Sequence, residues 1–269
     1  MGTPKNYRKY GNELEDKLRL QSYPLALKLL KTENDIPSGA YRPLRDFGYH
    51  LSLCQAYERS RRGGTEIAML KEDMWCFEPV VGYGLGEPPD YFMQGHNRYP
   101  RDVKTLEAGQ HYAEQFPRLE VGEYVGVVSA PLKSASFQPD LVVIYCDSEQ
   151  LNLLLLAREY SDGYNLPCAL SSHAACVYAV VPSITSGKCQ VAVPCRGDRW
   201  SAAAESDEMI FSVPIERLVD LIEGLRHVET TGSRLPHERR LQPEYELDES
   251  YRKIARMMGY IDDSSAERK

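Results

Sequence analysis

No stretch of the chain approaches the roughly 20 consecutive apolar residues that a membrane-spanning helix requires. The apolar segments Leu141–Tyr145 and Leu153–Ala157 are core-sized. The first twenty residues are charged and lack the apolar centre of a secretory leader, so export is not expected. Asn6 stands where N-myristoylation would need Ser or Thr, so a lipid anchor is not expected either. Basic residues are in deficit: 32 Lys and Arg face 39 Asp and Glu, a net charge of −7. The short run Arg59-Ser60-Arg61-Arg62 ends at Gly63-Gly64, and a helix C-terminus, where the dipole favours cations, accounts for it. No nucleic-acid surface is therefore predicted. Internal repeats and low-complexity tracts are missing. So is any CxxC pair, which removes the compact zinc ribbon and the dithiol redox motif. Gly82-Tyr83-Gly84-Leu85-Gly86 lacks the flanking strand and helix of a dinucleotide loop and the Lys-Ser/Thr of a P-loop.

What is present describes a folded globular chain. It has 269 residues, 42% of them hydrophobic and 26% charged, enough to bury a substantial core. The seven cysteines are odd in number and cannot all pair within one chain. With no leader, a reducing cytoplasmic setting is expected, and the thiols are buried, reactive or metal-ligating.

Hydrophobic periodicity predicts helices over 10–22 (ended by Pro24), 46–62 (stopped by Gly63-Gly64), 102–115, 148–160 (N-capped by Ser148) and 215–226, with a short one opening at Pro79. Strands are predicted over 25–30, 65–70, 122–130, 140–146, 190–195 and 209–213. Residues 172–181 fit either state, and the loop 86–101 gathers Tyr91, Phe92, His96 and Tyr99 near Tyr83 as an aromatic pocket, a lid or plain loop packing. The class that follows is α/β (mixed α+β), a single globular core with a mixed β-sheet flanked by helices. An N-terminal helical segment (1–23) precedes the globular domain (24–227). A polar C-terminal appendage (228–269) with a short helix around 249–258 follows it.

The thiols differ in context. Cys146 ends an apolar strand and reads as core, Cys189 lies in a turn, and Cys168 has no distinguishing neighbourhood. Cys76 lies just ahead of a short helix, and Cys176 falls in the first turns of a helix if Ser172 caps one. A helix start favours anionic thiolates or a negatively charged cluster. Cys195 leaves a strand into Arg196-Gly197-Asp198-Arg199, where sites commonly lie. Asp198, Arg199 and the pair Asp207-Glu208 offer acid/base chemistry or an Arg clamp on an anion, or else an ion pair that closes a loop. His173, three residues before Cys176, is a candidate base or ligand, or a structural histidine at a helix start.

Three segments, LCQAYERSRRGGTEIAMLKEDMWCFEPVVGYGLGEPP, APLKSASFQPDLVVIYCDSEQL and SSHAACVYAVVPSITSGKCQVAVPCRGDRWSAAAESDEMIFSVP, resemble the prokaryotic domain-of-unknown-function family 169. The resemblance runs from about Pro24 to Arg226. It implies recurring cysteines at Cys54, Cys76, Cys176 and Cys195, with Gly197-Asp198-Arg199 and Asp207-Glu208-Met209 after the last. The stretch Phe77-Glu78-Pro79-Val80-Val81 is bulkier than the Gly- and Ala-rich family pattern, which narrows close backbone approach there. Four such thiolates suit a [4Fe–4S] cluster or a zinc ion. Their wide spacing, 21 residues between the first two and 18 between the last two, ranks iron–sulfur above zinc. The expectation is a cysteine-ligated metalloenzyme, a lyase, hydratase or oxidoreductase, with no nucleic-acid or membrane partner, able to form a homo-oligomer, and acting on a small organic substrate that is aromatic or anionic. Asp198, Arg199, Glu208 and His173 would meet that substrate. A metal or cofactor carrier and a metal-free enzyme with one activated cysteine are the alternatives.

Overall fold

The computed structural model describes residues 4–231, 233, 235 and 248–260. The chain divides into a unit spanning Met1–Leu235 and a second, Pro236–Lys269.

Helix α1 (Pro4–Leu18) opens the first unit and buries Tyr7, Leu14 and Leu18 along one stripe. It stops before Pro24 because Arg19 turns to φ 51°, in the left-handed region. Strand β1 (Leu25–Leu30) follows. The helix predicted over 46–62 begins later. Residues Pro43–Phe47 form a π-type turn, Gly48 takes φ 75°, and Ser52 then caps α2 (Leu53–Arg61) through a reciprocal pair with Gln55. After β2 (Ile67–Leu70) come two short helices, α3 (Phe77–Gly82) and α4 (Asp90–Met93), the latter within the predicted loop. Helix α5 (Leu106–Gln115) starts at its Thr105 cap. Strands β3 (Gly126–Pro131) and β4 (Leu141–Cys146) lead to α6 (Ser148–Asp162), whose cap is Asp147, not Ser148: the Asp147 carboxylate accepts the Gln150 N–H at 2.8 Å.

The ambiguous segment is helical. Helix α7 (Ala175–Ser186) is apolar all round and buried along most of its length, which is why periodicity could not identify it. Strand β5 pairs only over Gln190–Ala192. Cys195 caps α8 (Arg196–Ser201), a helical turn where a loop was expected. The unit closes with β6 (Met209–Pro214) and α9 (Leu218–Thr230). The second unit contains α10 (Glu249–Met257); of the appendage expected over 228–269, residues 228–230 belong to α9, and 232, 234, 236–247 and 261–269 lie outside the described residues.

The six strands form one sheet in the order β2-β3-β1-β4-β6-β5. The mixed α/β class holds, but every strand pairing is antiparallel, so the sheet is not of mixed direction. The β4–α6 step that suggested a βα unit does not lead to a parallel strand beside β4; the neighbours of β4 are β1 and β6, both antiparallel to it. Helices cover both faces. Side chains alternate along each strand, so Leu141, Val143 and Tyr145 of β4 join the core beneath α2 and α7, while Val142, Ile144 and Cys146 join the core beneath α1, α6 and α9. The sheet thereby separates two groups of cysteines. Cys146 and Cys189 belong to the second core, and Cys176 and Cys195 to the first.

On the second face α6 and α9 pack with their backbones in close approach: a methyl group on Gly224 would run into the Ala157 carbonyl. Gly224→Ala is expected to destabilise the protein by about 2–3 kcal/mol, because the two helices must separate. Thermal or denaturant unfolding checks this, with Gly122→Ala unsuitable as a control because of its φ of 83° and Gly39→Ala, in open space, the suitable one.

Candidate functional site

The first core face carries a cavity of about 290 Å³ whose wall includes Cys54, Cys76, Cys176 and Cys195. Four separate elements deliver them. Cys54 is the second residue of α2, Cys76 caps α3, Cys176 is the second residue of α7 and Cys195 caps α8. Two glycines permit this convergence. Gly82 lets α3 pack on Val177 of α7, where a side chain would collide. Gly197 leaves open the space between Cys195 and Cys54: a β-carbon there would lie 3.6 Å from each sulfur, which places the two within twice that distance of one another.

The sulfurs are polar-contacted rather than merely packed. The Leu53 backbone N–H lies near enough to the Cys76 sulfur, and that of Ala175 to the Cys195 sulfur, to favour each thiolate. Both donors are at the starts of the longer helices α2 and α7, where N–H groups lack intrahelical partners. Cys54 Sγ lies 3.0 Å from Ser52 Oγ, and the Cys195 thiol donates to Asp198 Oδ2 at 3.0 Å. Burial, followed by the charge of Asp198, raises the Cys54 thiol far above its usual range. Burial likewise pushes Cys76 up to about 12 and Cys195 up to about 11, and raises Cys176 well above its ordinary value. The neighbouring thiols add to the effect, each resisting ionisation of the next. All seven cysteines are free. Among the described residues no group of three or more His, Cys, Asp or Glu side chains is drawn closely enough together to hold a metal ion. The four thiols are spread around a cavity wall rather than gathered at a point.

Beneath the thiols the packing is polar and fully bonded. The Tyr57 and Tyr83 hydroxyls are 2.9 Å apart, and Tyr83 donates to the Cys176 carbonyl at 2.8 Å. Asp198 is buried. It accepts from the Tyr145 hydroxyl at 3.0 Å and from the Cys195 N–H at 3.2 Å, so it orients the loop that carries Cys195.

The other expected site residues divide. His173 lines the cavity, its Nε2 3.4 Å from Asp102 and its Nδ1 3.0 Å from Ser172 Oγ. Desolvation, followed by the nearby Arg98 charge, lowers its pKa. Arg199 and Glu208 do not line the cavity. Arg199 donates to the Glu205 carbonyl at 2.7 Å and closes the loop after α8. Glu208 is paired with buried Arg61 through two bonds of 2.7 and 3.1 Å. Of the expected aromatic group, Tyr83 and Phe92 are buried in the core and Tyr91 stacks on His96; none of the five lines the cavity. Cys168 lies elsewhere, its sulfur accepting from the Val191 N–H at 3.2 Å.

Sequence reading passed over Trp75, Glu78, Arg98, Arg101, Asp102, Arg196 and Trp200, all of which line the cavity. A usable signal existed for the tryptophans: the chain has only two, one directly before Cys76 and one five residues after Cys195.

A family model, DUF169 (Uncharacterised ArCR), matches residues 13–224. The uncharacterized protein MJ0308 of Methanocaldococcus jannaschii is 24% identical over 223 residues, covering 82% of this chain and 94% of that protein. No solved structure matches.

Proposed function

For a chain that belongs to the uncharacterised DUF169 family, we propose a cysteine-ligated metalloenzyme that holds a [4Fe–4S] cluster on Cys54, Cys76, Cys176 and Cys195 and acts on a small organic substrate in a reducing cytoplasm. The observation that carries the reading is the convergence of four free thiols from four helix starts on one cavity wall. The donor set fits. A single tetrahedral zinc ion, with Zn–S near 2.3 Å, needs sulfurs about 3.8 Å apart. Thiols distributed around a cavity suit the wider span of a polynuclear group. Backbone N–H groups near two of the sulfurs are the kind of donor that tunes such clusters. When bound, the cluster would supply electrons or, with one iron left open, a Lewis acid.

The chain's own residues would do the rest. Asp198 fixes Cys195 through its backbone N–H, Ser52 steadies Cys54, and His173 beside Asp102 offers a site for proton exchange at the cavity wall. The metal-free alternative gains nothing here, because a nucleophilic cysteine needs a depressed pKa and burial raises all four. No helix among the described residues is long and apolar enough to cross a membrane.

Anaerobic purification followed by iron, zinc and acid-labile sulfide analysis, with a visible spectrum, tests the proposal. Iron and sulfide in equal amounts, close to four of each per chain, are expected. Zinc without sulfide would replace the cluster by a single metal, and a colourless metal-free protein that folds would sink both.

A further inference from the structure

Both tryptophans of the chain stand at the cavity that holds the four thiols, although 125 positions apart in the sequence they could have fallen anywhere. Both are exposed, Trp75 at 59% and Trp200 at 76%, against the nearly buried Cys54 and Cys176. They form the rim and the thiols the depth. The Trp75 indole is held in place, its N–H donating to Gln55 Oε1 at 3.1 Å. The Arg196 guanidinium lies 4.3 Å from the centre of the Trp200 ring. Large apolar faces left in water at a concave site mark ligand contact more than scattered exposure does.

The same cavity contains an under-compensated cation. Arg98 is 2% exposed, lies over the Tyr112 ring at 4.4 Å, and donates to the Tyr112 hydroxyl at 3.0 Å. Its two carboxylate neighbours are distant for charged partners, Asp102 at 3.4 Å and Glu78 at 3.5 Å. Asp102 is already bonded by Arg101 at 2.8 Å, and Arg98 Nε has no partner. A charge-assisted pair is ordinarily 2.7–2.9 Å long, and a guanidinium cannot shed its charge to relieve the deficit. In a chain of net charge −7, three arginines line this cavity against the two carboxylates of Glu78 and Asp102.

We propose that the rim of the four-thiol cavity is a subsite for a planar organic anion, an aromatic or conjugated carboxylate, with its face against Trp75 or Trp200 and its carboxylate drawn to Arg98 and Arg101. The indoles supply a flat polarisable surface, and the guanidinium forks match a carboxylate. This rests on the reading of the same cavity as a substrate site, and it names the substrate class that the rim selects.

Because both tryptophans are at the rim, intrinsic fluorescence of the full chain reports occupancy directly. The probes are benzoate, benzamide (the same ring without charge) and cyclohexanecarboxylate (the same charge without a flat face). Benzoate is expected to give a saturable change in emission, with each of the other two binding about tenfold more weakly, one charge-assisted contact or one stacking contact being lost. Arg101→Gln should weaken benzoate about tenfold and leave benzamide unchanged. Arg98→Lys, which keeps the charge and loses the fork, should also weaken it, and circular dichroism verifies folding in each variant. The proposal is overturned if folded protein shows no saturable response to benzoate, if benzamide binds equally well, or if calorimetry finds Trp75→Phe and Trp200→Phe both without effect; a rim that serves only protein docking would give the first result. Titrations on iron-loaded and metal-free protein separate the two readings. Loss of the cluster appears in iron and sulfide content, whereas loss of the subsite appears in benzoate binding.

Discussion

Serine at position 176 is expected to reduce iron and acid-labile sulfide at least tenfold, with the same loss in Cys54→Ser, Cys76→Ser and Cys195→Ser. Cys146→Ser and Cys189→Ser should retain both at the level of the unaltered protein, since those thiols belong to the core on the opposite face of the sheet. Elemental analysis of anaerobically purified variants, normalised to folded protein, decides the matter. Full iron content in any quartet variant would remove that cysteine from the ligand set. Cys54, which the sequence alone supports least, is tied to Cys195 by their shared contact at Gly197. Loading should also depend on pH. Burial pushes the Cys76 thiol up to about 12 and the Cys195 thiol up to about 11, so both are protonated at neutrality and must release protons to bind iron. Reconstitution therefore improves as pH rises, by up to about tenfold per unit for each thiol that must ionise, and fails first in acid.

The parts of this site legible in the sequence were those with covalent chemistry. Cysteine positions carry meaning without knowledge of the fold, and a cysteine before a helix start can be found from cap residues. Strand β4 was equally legible, because a continuous β-branched run buried on both faces has few other readings. Arg98, Arg101 and Asp102 were not legible. They follow a Pro- and Gly-rich stretch with no hydrophobic period, and only the fold brings that stretch against α7. The burial of Arg61 was not legible either. The run Arg59–Arg62 is a charged helix end, yet of its three arginines Arg61 turns inward, since its position on α2 faces β4 and Tyr145. For Glu208 the sequence leaves a substrate contact and an ion pair equally open, and the structure shows the ion pair, with Arg61 as partner. Its partner is distant in sequence, and an acidic residue without a visible partner resembles a functional one.

Removing Arg61 is expected to cost about 3–5 kcal/mol, the penalty for leaving a buried charge unpaired. Arg61 is 1% exposed and bonds Glu208 twice and Ser22 once, at 2.7, 3.1 and 3.2 Å, with its guanidinium 4.0 Å from the centre of the Tyr145 ring. In Arg61→Met, Glu208 loses both bonds and keeps the Glu205 N–H at 2.8 Å and a long contact to Arg62 at 4.0 Å. The melting temperature should fall by roughly 10 °C for a unit of this size. Arg61→Met combined with Glu208→Leu should recover much of the loss, because replacing a buried ion pair whole costs far less than breaking it. A double variant no more stable than Arg61→Met would show that Arg61 acts chiefly through Tyr145 and Ser22. That distinction reaches the site, because Tyr145 bonds Asp198 and Asp198 holds both the N–H and the thiol of Cys195. If the ion pair is only a brace, the double variant regains stability and iron together. If Arg61 positions Tyr145 for the site, stability returns while iron content stays low.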